Sequence, residues 1–124
     1  MSEIKSYRDL QVWQRAMDLA VACYDVTRDF PKSETYGMAS QIRRASVSIP
    51  ANIAEGFGRD STGNFVSFLR VSQGSLKELE THLLLSIRVG LSEQQSVDPL
   101  LQQCDELGRM LRAYIRSIQR SVED

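Results

Sequence analysis

The residue types that most often carry out catalysis or bind metals are sparse in this chain. His82 is the only histidine among the 124 residues. A di-iron site in a helical bundle requires two Glu-x-x-His motifs and two further carboxylates, yet the residue three positions before His82 is Leu79. A single histidine also gives little basis for a set of nucleophile, base and acid. We therefore predict a non-enzyme without a metal or cofactor, in which His82 is a packed or surface side chain.

Two cysteines are the remaining candidates for metal or redox chemistry. Cys23 and Cys104 are far apart in the sequence, and neither belongs to a Cys-x-x-Cys motif. Zinc sites and redox motifs usually show that spacing. We interpret both residues as reduced, buried cysteines that pack like small apolar side chains, and a disulfide or a metal site is the alternative.

A polar stripe along one helical face makes residues 41–58, QIRRASVSIPANIAEGFG, the most informative segment for function. Its members recur at intervals of three or four residues, as on one face of an α-helix. They are Gln41, Arg44, Ser48, Asn52, Glu55 and Arg59. The residues that flank the stripe are small, among them Ala45, Ala51, Ala54 and Gly56. Because small residues let another backbone come close, we predict that the polar stripe faces protein rather than bulk water.

Pro50 lies in the middle of the same predicted helix. A proline there removes the bond from its own nitrogen to the carbonyl of Ser46, at a cost of about 3 kcal/mol. We therefore predict that the side chains of Ser48 and Asn52 bond to backbone groups that the proline frees.

Arginine is the second group of residues that could carry a function. Twelve of the fifteen basic residues are arginines, and they form few clusters. The candidates are Arg43, Arg44 and Arg59, with Arg109, Arg112, Arg116 and Arg120 along one face of the last predicted helix. One interpretation is a solvated face that forms ion pairs between subunits. The other is a rim that binds the phosphates of RNA or DNA, although the net charge of −1 requires local clustering for that.

Apolar residues recur at the helical period throughout, and no segment has the alternation of a strand. The sequence therefore predicts an all-α fold, an antiparallel up-and-down four-helix bundle that forms a single domain over residues 1–124. The predicted helices span about 10–29, 34–57, 62–89 and 93–121. Predicted N-caps are Asp9, Ser33, and Ser61 or Thr62. The fourth helix begins either at the capping box of Ser92 or at Asp98-Pro99, and the sequence supports both.

Three further features concern contacts of the helices. The first helix carries two apolar stripes, which is more than one neighbouring helix can cover, so Trp13 either packs within the bundle or contacts a second subunit.

Gly74 and Ser75 lie in the middle of the third predicted helix, and we predict that another helix comes close there. Glu78 either forms an ion pair, for which Arg44 is the first candidate, or is a solvated charge.

The sequence shows no membrane or export segment. The N-terminal stretch MSEIKSYRDLQ is too polar for a signal peptide. The longest stretch without a charged residue, residues 45–54, is too short and too polar to cross a bilayer. We therefore predict a cytoplasmic protein that has no membrane partner.

Several segments carry a family resemblance. QIRRASVSIPANIAEG, with FPKSETYGM before it, GSLKELE after it and DLQVWQRAMDLA near the N-terminus, resembles the four-helix-bundle proteins named for the 23S rRNA intervening sequence. The resemblance covers nearly the whole chain. It implies a small protomer that assembles into a ring, a homopentamer in characterised relatives. The residues that match the family motifs or are implicated in assembly are Trp13, Ser48, Pro50, Asn52, Glu55, Gly56, Ser75 and Glu78.

The resemblance also implies partners. A related branch, the accessory variability protein of diversity-generating retroelements, binds nucleic acid and a reverse transcriptase. The present chain is nearly neutral, whereas that branch is strongly basic. The favoured function is a non-enzymatic, homo-oligomeric scaffold or adaptor. The alternative is an accessory protein that binds RNA or DNA through its arginine clusters, with a reverse transcriptase as a further partner.

Overall fold

The computed structural model describes residues 3–123 and shows four α-helices in that part of the chain, with no strand. The helices are α1 (Gln11–Thr27), α2 (Met38–Phe57), α3 (Thr62–Arg88) and α4 (Gln94–Glu123). Short 3₁₀ turns occupy Tyr7–Asp9 and Lys32–Glu34. Each helix packs against two others, in the cyclic order α1, α2, α3, α4 and back to α1. This order is typical of an up-and-down bundle with short connections, so the predicted fold is confirmed.

The core lies on the axis of the bundle and consists mainly of leucine and isoleucine from all four helices. Its largest fully buried side chains include Leu19, Ile42, Ile49, Ile53, Leu69, Leu76, Leu79, Leu83, Leu107 and Leu111. Burial of such a side chain contributes about 1.5–3 kcal/mol before entropy is counted. The core therefore holds the helices in place, and function must be sought among the residues that the core does not use.

The N-terminal segment is capped one turn earlier than predicted. Asp9 accepts hydrogen bonds from the backbone nitrogens of Lys5 and Ser6, at 2.9 and 3.0 Å. Ser6 in turn accepts from the nitrogen of Arg8 at 3.2 Å. Asp9 thus closes a capping box around the first 3₁₀ turn. The prediction that Asp9 caps the first long helix is wrong, because α1 begins only after the extended Leu10.

The loop between α1 and α2 is longer than predicted at both ends. Helix α1 stops at Thr27, and α2 begins at Met38 rather than near residue 34. Ser33, the predicted N-cap of α2, lies instead inside a 3₁₀ turn. The carboxylate of Glu34 accepts from the backbone nitrogen of Met38 at 3.0 Å. A carboxylate therefore caps the helix from outside, where the helix dipole favours negative charge.

The remaining helix ends agree with the sequence signals. Ser61 caps α3 by accepting from the backbone nitrogen of Asn64 at 3.1 Å. Gly90 follows α3 with a φ of 82°, the left-handed conformation that glycine adopts after helices. The fourth helix begins at Gln94, near the earlier of the two predicted starts, and continues through Pro99. Ser92 does not form the predicted capping box, because its hydroxyl accepts from the hydroxyl of Ser86.

Both cysteines are buried and free of a disulfide. Burial raises the pKa of the Cys23 thiol and of the Cys104 thiol to about 12. Both thiols are thus protonated at neutral pH and are poor nucleophiles. The interpretation of these residues as small apolar core side chains is confirmed.

Helices α2 and α3 approach each other closely at Gly56, in the last turn of α2. A Cβ atom added at Gly56 would lie 2.5 Å from Cβ of Phe68 and 3.1 Å from the ring of Phe65, both on α3. The sequence also predicted close approach of another helix at Gly74 and Ser75. Ser75 does contact α2, through a bond of 2.8 Å to Ser48. At Gly74 the prediction is wrong for the single chain, because Gly74 is exposed and an added Cβ there meets no atom within 4 Å.

The two glycines therefore respond in opposite ways to the same substitution. Gly56→Ala forces α2 and α3 apart and is expected to destabilise the protein by about 1–3 kcal/mol, the usual cost of overpacking. Gly74→Ala adds helix propensity without a clash and is expected to stabilise it by about 1 kcal/mol. Urea unfolding followed by circular dichroism measures both. Equal effects of the two variants would contradict the close contact at Gly56.

Candidate interaction surfaces

The polar stripe of α2 divides into a bonded centre and exposed ends. Ser48 and Asn52 are half-buried, whereas Gln41, Arg44 and Glu55 are exposed. The hydroxyls of Ser48 and Ser75 form a hydrogen bond of 2.8 Å that joins α2 to α3. The side-chain nitrogen of Asn52 donates to the carbonyl and to the hydroxyl of Ser48, at 2.8 and 3.0 Å. The prediction that the stripe faces protein is therefore confirmed at its centre within one chain. Gln41, Arg44, Glu55 and Arg59 are exposed, and their contact with a second subunit stays a prediction.

Pro50 is buried beside this network, and its surroundings differ from the prediction in detail. The carbonyl that Pro50 deprives of a partner belongs to Ser46, but Asn52 donates to the carbonyl of Ser48. The prediction that Ser48 and Asn52 replace the missing bond is therefore wrong. Helix α3 contributes instead next to the proline, where the hydroxyl of Ser72 donates to the carbonyl of Ile49 at 2.9 Å. This bond is buried and ties the middle of α2 to α3.

The two glutamates of the family motif lie beside basic side chains of their own helices. Glu55 pairs with Arg59 at 2.9 Å, one turn along α2, and both side chains are about half exposed. Glu78 lies 3.7 Å from Nε2 of His82, one turn along α3, so the predicted pair with Arg44 is wrong. Exposed pairs of this kind contribute about 0–1 kcal/mol. The largely buried position of His82 agrees with its prediction as a packed or surface side chain.

An apolar face is exposed on α1 and α2. Met17, Val21 and Tyr24 of α1 are 40%, 59% and 42% exposed, and Val47 of α2 is 43% exposed. Together with the buried Ala20 and Pro50 they line a depression of about 330 Å³, and the ion pair of Asp25 and Arg28 lies at its side. The four exposed apolar residues are called the α1–α2 face below. The first helix therefore does carry more apolar surface than its neighbours within the chain cover.

Trp13 lies on the same helix but is partly covered from within. Its ring is half-buried and meets the ring of Tyr7 edge to face, at 5.3 Å between centroids. Trp13 thus packs against the N-terminal turn in the single chain. Its contact with a second subunit stays a prediction.

The arginines of α2 differ in how much of their binding capacity is used. Arg43 donates from Nε to the hydroxyl of Thr27 at 2.8 Å, and its guanidinium lies 4.7 Å from the centre of the Tyr24 ring. Arg59 pairs with Glu55 and also lies over the ring of Phe68, at 4.9 Å. Arg44 is exposed and forms no ion pair with any side chain described. Of these three, Arg44 is the one free to bind another molecule.

The four candidate arginines of α4 are all exposed, and they too fall into different classes. Arg109 pairs with Asp105 one turn before it. Arg112 and Arg116 line a groove between α3 and α4 together with Arg70. Arg120 lies one turn further along, near the end of the described chain. The sequence analysis missed Arg70, because its position relative to α4 follows only from the packing of the two helices.

Two classes of site are not found in the part of the chain that the structure describes. Within residues 3–123, no three His, Cys, Asp or Glu side chains come together in a way that could hold a metal ion. None of the described helices combines the length and the apolar character needed to cross a bilayer.

Comparisons with known proteins identify relatives of the chain. The model of the family described as 23S rRNA-intervening sequence protein matches residues 8–113. A crystal structure from Bacteroides thetaiotaomicron VPI-5482, of a protein with unknown function from the S23 ribosomal protein family, is similar in fold, with a TM-score of 0.75 at 24% sequence identity. The match covers 84% of this chain and 97% of that one. No curated protein matches the chain.

The bond between Ser48 and Ser75 can be tested by a double-mutant cycle. Ser48→Ala and Ser75→Ala each remove one hydroxyl, and we expect a coupling free energy of about 0.5–1.5 kcal/mol between them. Ser67→Ala is the control, because its hydroxyl bonds only to the carbonyl of Gly63 within α3. Additive effects of the first two substitutions in urea unfolding would show that the two hydroxyls do not interact.

Proposed function

The chain belongs to the 23S rRNA-intervening sequence protein family, and on that premise we propose that it is a homo-oligomeric scaffold or adaptor without enzymatic activity. Its copies pack against one another through the α1–α2 face. The observation that carries this proposal is the exposure of Met17, Val21, Tyr24 and Val47 on adjacent positions of two helices. A continuous apolar patch on a small domain usually marks a protein interface.

The neighbourhood of the patch supports self-association. The polar centre of the α2 stripe lies beside it, with Ser48 and Asn52 already bonded to each other and to α3. A second subunit can therefore cover the apolar side chains without leaving those polar groups unsatisfied. Full burial of a large apolar side chain contributes about 1.5–3 kcal/mol, and the four residues are 40–59% exposed, so covering them contributes part of that amount toward the cost of association. The family resemblance implies a ring of five, and in a ring the α1–α2 face of each copy packs against a different surface of the next copy.

The absence of enzymatic activity is part of the proposal, and the state of the candidate groups supports it. Nε2 of His82 is buried and has no hydrogen-bond partner in the described chain, so it is poorly placed to exchange a proton with a substrate. The two thiols are buried, with pKa values raised to about 12. A scaffold that acts by binding in the cytoplasm requires none of these groups.

A second candidate function is the binding of RNA or DNA, alone or together with a reverse transcriptase. Arg44, Arg112, Arg116 and Arg120 are exposed and form no ion pair with any side chain in the described part of the chain. Exposed arginines that are not neutralised can bind phosphates and release counterions. A ring of several copies would repeat each such group and so strengthen a modest contact.

Self-association through the α1–α2 face is tested by Val21→Glu. A carboxylate in the middle of the patch must be desolvated in the interface, so we expect the variant to be a folded monomer of about the chain mass of 14.0 kDa, whereas the unmodified protein is larger. Size-exclusion chromatography with light scattering at micromolar concentration measures this, and circular dichroism reports the fold. Val122→Glu is the matched control, since Val122 is 65% exposed and far along α4. A monomeric unmodified protein would contradict the proposal.

A further inference from the structure

The groove between α3 and α4 is lined almost entirely by groups that bind anions. Its walls are Arg70 and Gln73 of α3 with Arg112, Arg116 and Gln119 of α4, and the buried Ile115 lies at its floor. None of these lining residues is a carboxylate. The chain as a whole carries sixteen acidic and fifteen basic residues, so a groove with three arginines and no acid departs clearly from the average.

Four of the nine arginines outside the groove pair with a described carboxylate. These four are Arg15, Arg28, Arg59 and Arg109. Arg70, Arg112 and Arg116 form no such pair with any described side chain. Three guanidinium groups along one groove repel one another, and a bound anion relieves that repulsion.

We infer that this groove binds the phosphodiester backbone of a nucleic acid. The inference rests on the second candidate function proposed above and names the site and the chemical group that it recognises. Guanidinium groups form paired hydrogen bonds with phosphate oxygens, and glutamine amides can donate to phosphates or bond to sugar hydroxyls. Contacts of this kind are independent of base sequence, so the groove would hold a nucleic acid without selecting its sequence.

The size and shape of the groove favour an extended polymer over a small ligand. Its volume is about 150 Å³, which is less than the roughly 300–1,000 Å³ of typical small-molecule pockets. From Arg112 to Gln119 it follows α4 for about two turns, or about 10 Å at 1.5 Å per residue. A linear polyanion can lie along such a shallow, elongated groove, while a compact phosphate compound would leave most of it unused.

The lining also favours nucleic acid over an acidic peptide. Peptide grooves usually provide apolar or aromatic pockets that anchor one or two side chains. Here the one apolar lining residue, Ile115, is 3% exposed and offers no such anchor. A phosphodiester backbone needs no apolar anchor, because charge and hydrogen bonds supply its affinity.

The test is a titration of a labelled 20-nucleotide single-stranded RNA and a 20-base-pair DNA duplex with the full chain, followed by fluorescence anisotropy at 50 and 150 mM salt. We expect the double variant Arg112→Gln/Arg116→Gln to bind at least tenfold more weakly. For this variant, the slope of log affinity against log salt concentration should become shallower by roughly 1.4–1.8. Each of the two lost phosphate contacts accounts for about 0.7–0.9 of that slope. Arg70→Gln should weaken binding in the same direction.

The matched control is Arg8→Gln/Arg88→Gln, which changes the net charge equally at two exposed positions outside the groove. It should stay within about twofold of the unmodified protein. Equal losses in control and groove variant would overturn the inference, because they would show a dependence on net charge alone. Light scattering on every variant verifies that assembly is unchanged.

The remaining outcomes separate the groove from the broader function. If Arg44→Gln abolishes binding while the groove double variant binds normally, nucleic-acid binding stands and the groove is overturned as its site. If the unmodified protein binds neither probe at 50 mM salt, both the groove as a site and nucleic-acid binding as a function are overturned. If poly-glutamate of equal charge displaces the RNA as well as unlabelled RNA does, the groove recognises charge rather than phosphodiester, and the inference is wrong in its ligand class.

Discussion

The close contact between α2 and α3 is the constraint on which the rest of the structure depends. At Gly56 the backbone of α2 lies so near Phe68 that a single methyl group would clash. Farther along the same contact, the hydroxyl of Ser72 donates to the carbonyl of Ile49, beside the proline that interrupts the helical bonding of α2. This bond ties α2 to α3 beside Pro50, although the carbonyl that the proline leaves without its helical bond is that of Ser46.

This contact decides which residues are left for function. The centre of the α2 stripe is used in the bond between Ser48 and Ser75, so it is less available to partners than its polarity suggests. The α1–α2 face and the arginine groove between α3 and α4 stay open. In the cyclic order of the helices these two surfaces lie on opposite sides of the bundle. A subunit that packs on the apolar face of one copy therefore approaches that copy from the side away from its cationic groove.

Much of the fold could be predicted from the sequence, because helical periodicity and caps such as Ser61 are local signals. The failures concern contacts between residues far apart in the chain. Sequence alone gave no means of deciding whether Gly56 or Gly74 lies against a second helix, since that depends on how the helices rotate against each other. For the same reason Arg70 could not be related to the arginines of α4. Glu34 replaced Ser33 as the cap of α2 because a longer side chain can reach the helix from outside.

The central claim is that copies of this chain share the α1–α2 face, and hydroxyl-radical footprinting over a concentration series tests it most directly. Tyr36, which is 95% exposed, provides an internal reference on the same chain. The account predicts that Met17 and Tyr24 become several-fold less reactive between nanomolar and micromolar protein, while Tyr36 is modified equally throughout. The account would be contradicted if the reactivity of Met17 and Tyr24, measured relative to that of Tyr36, were the same at every protein concentration.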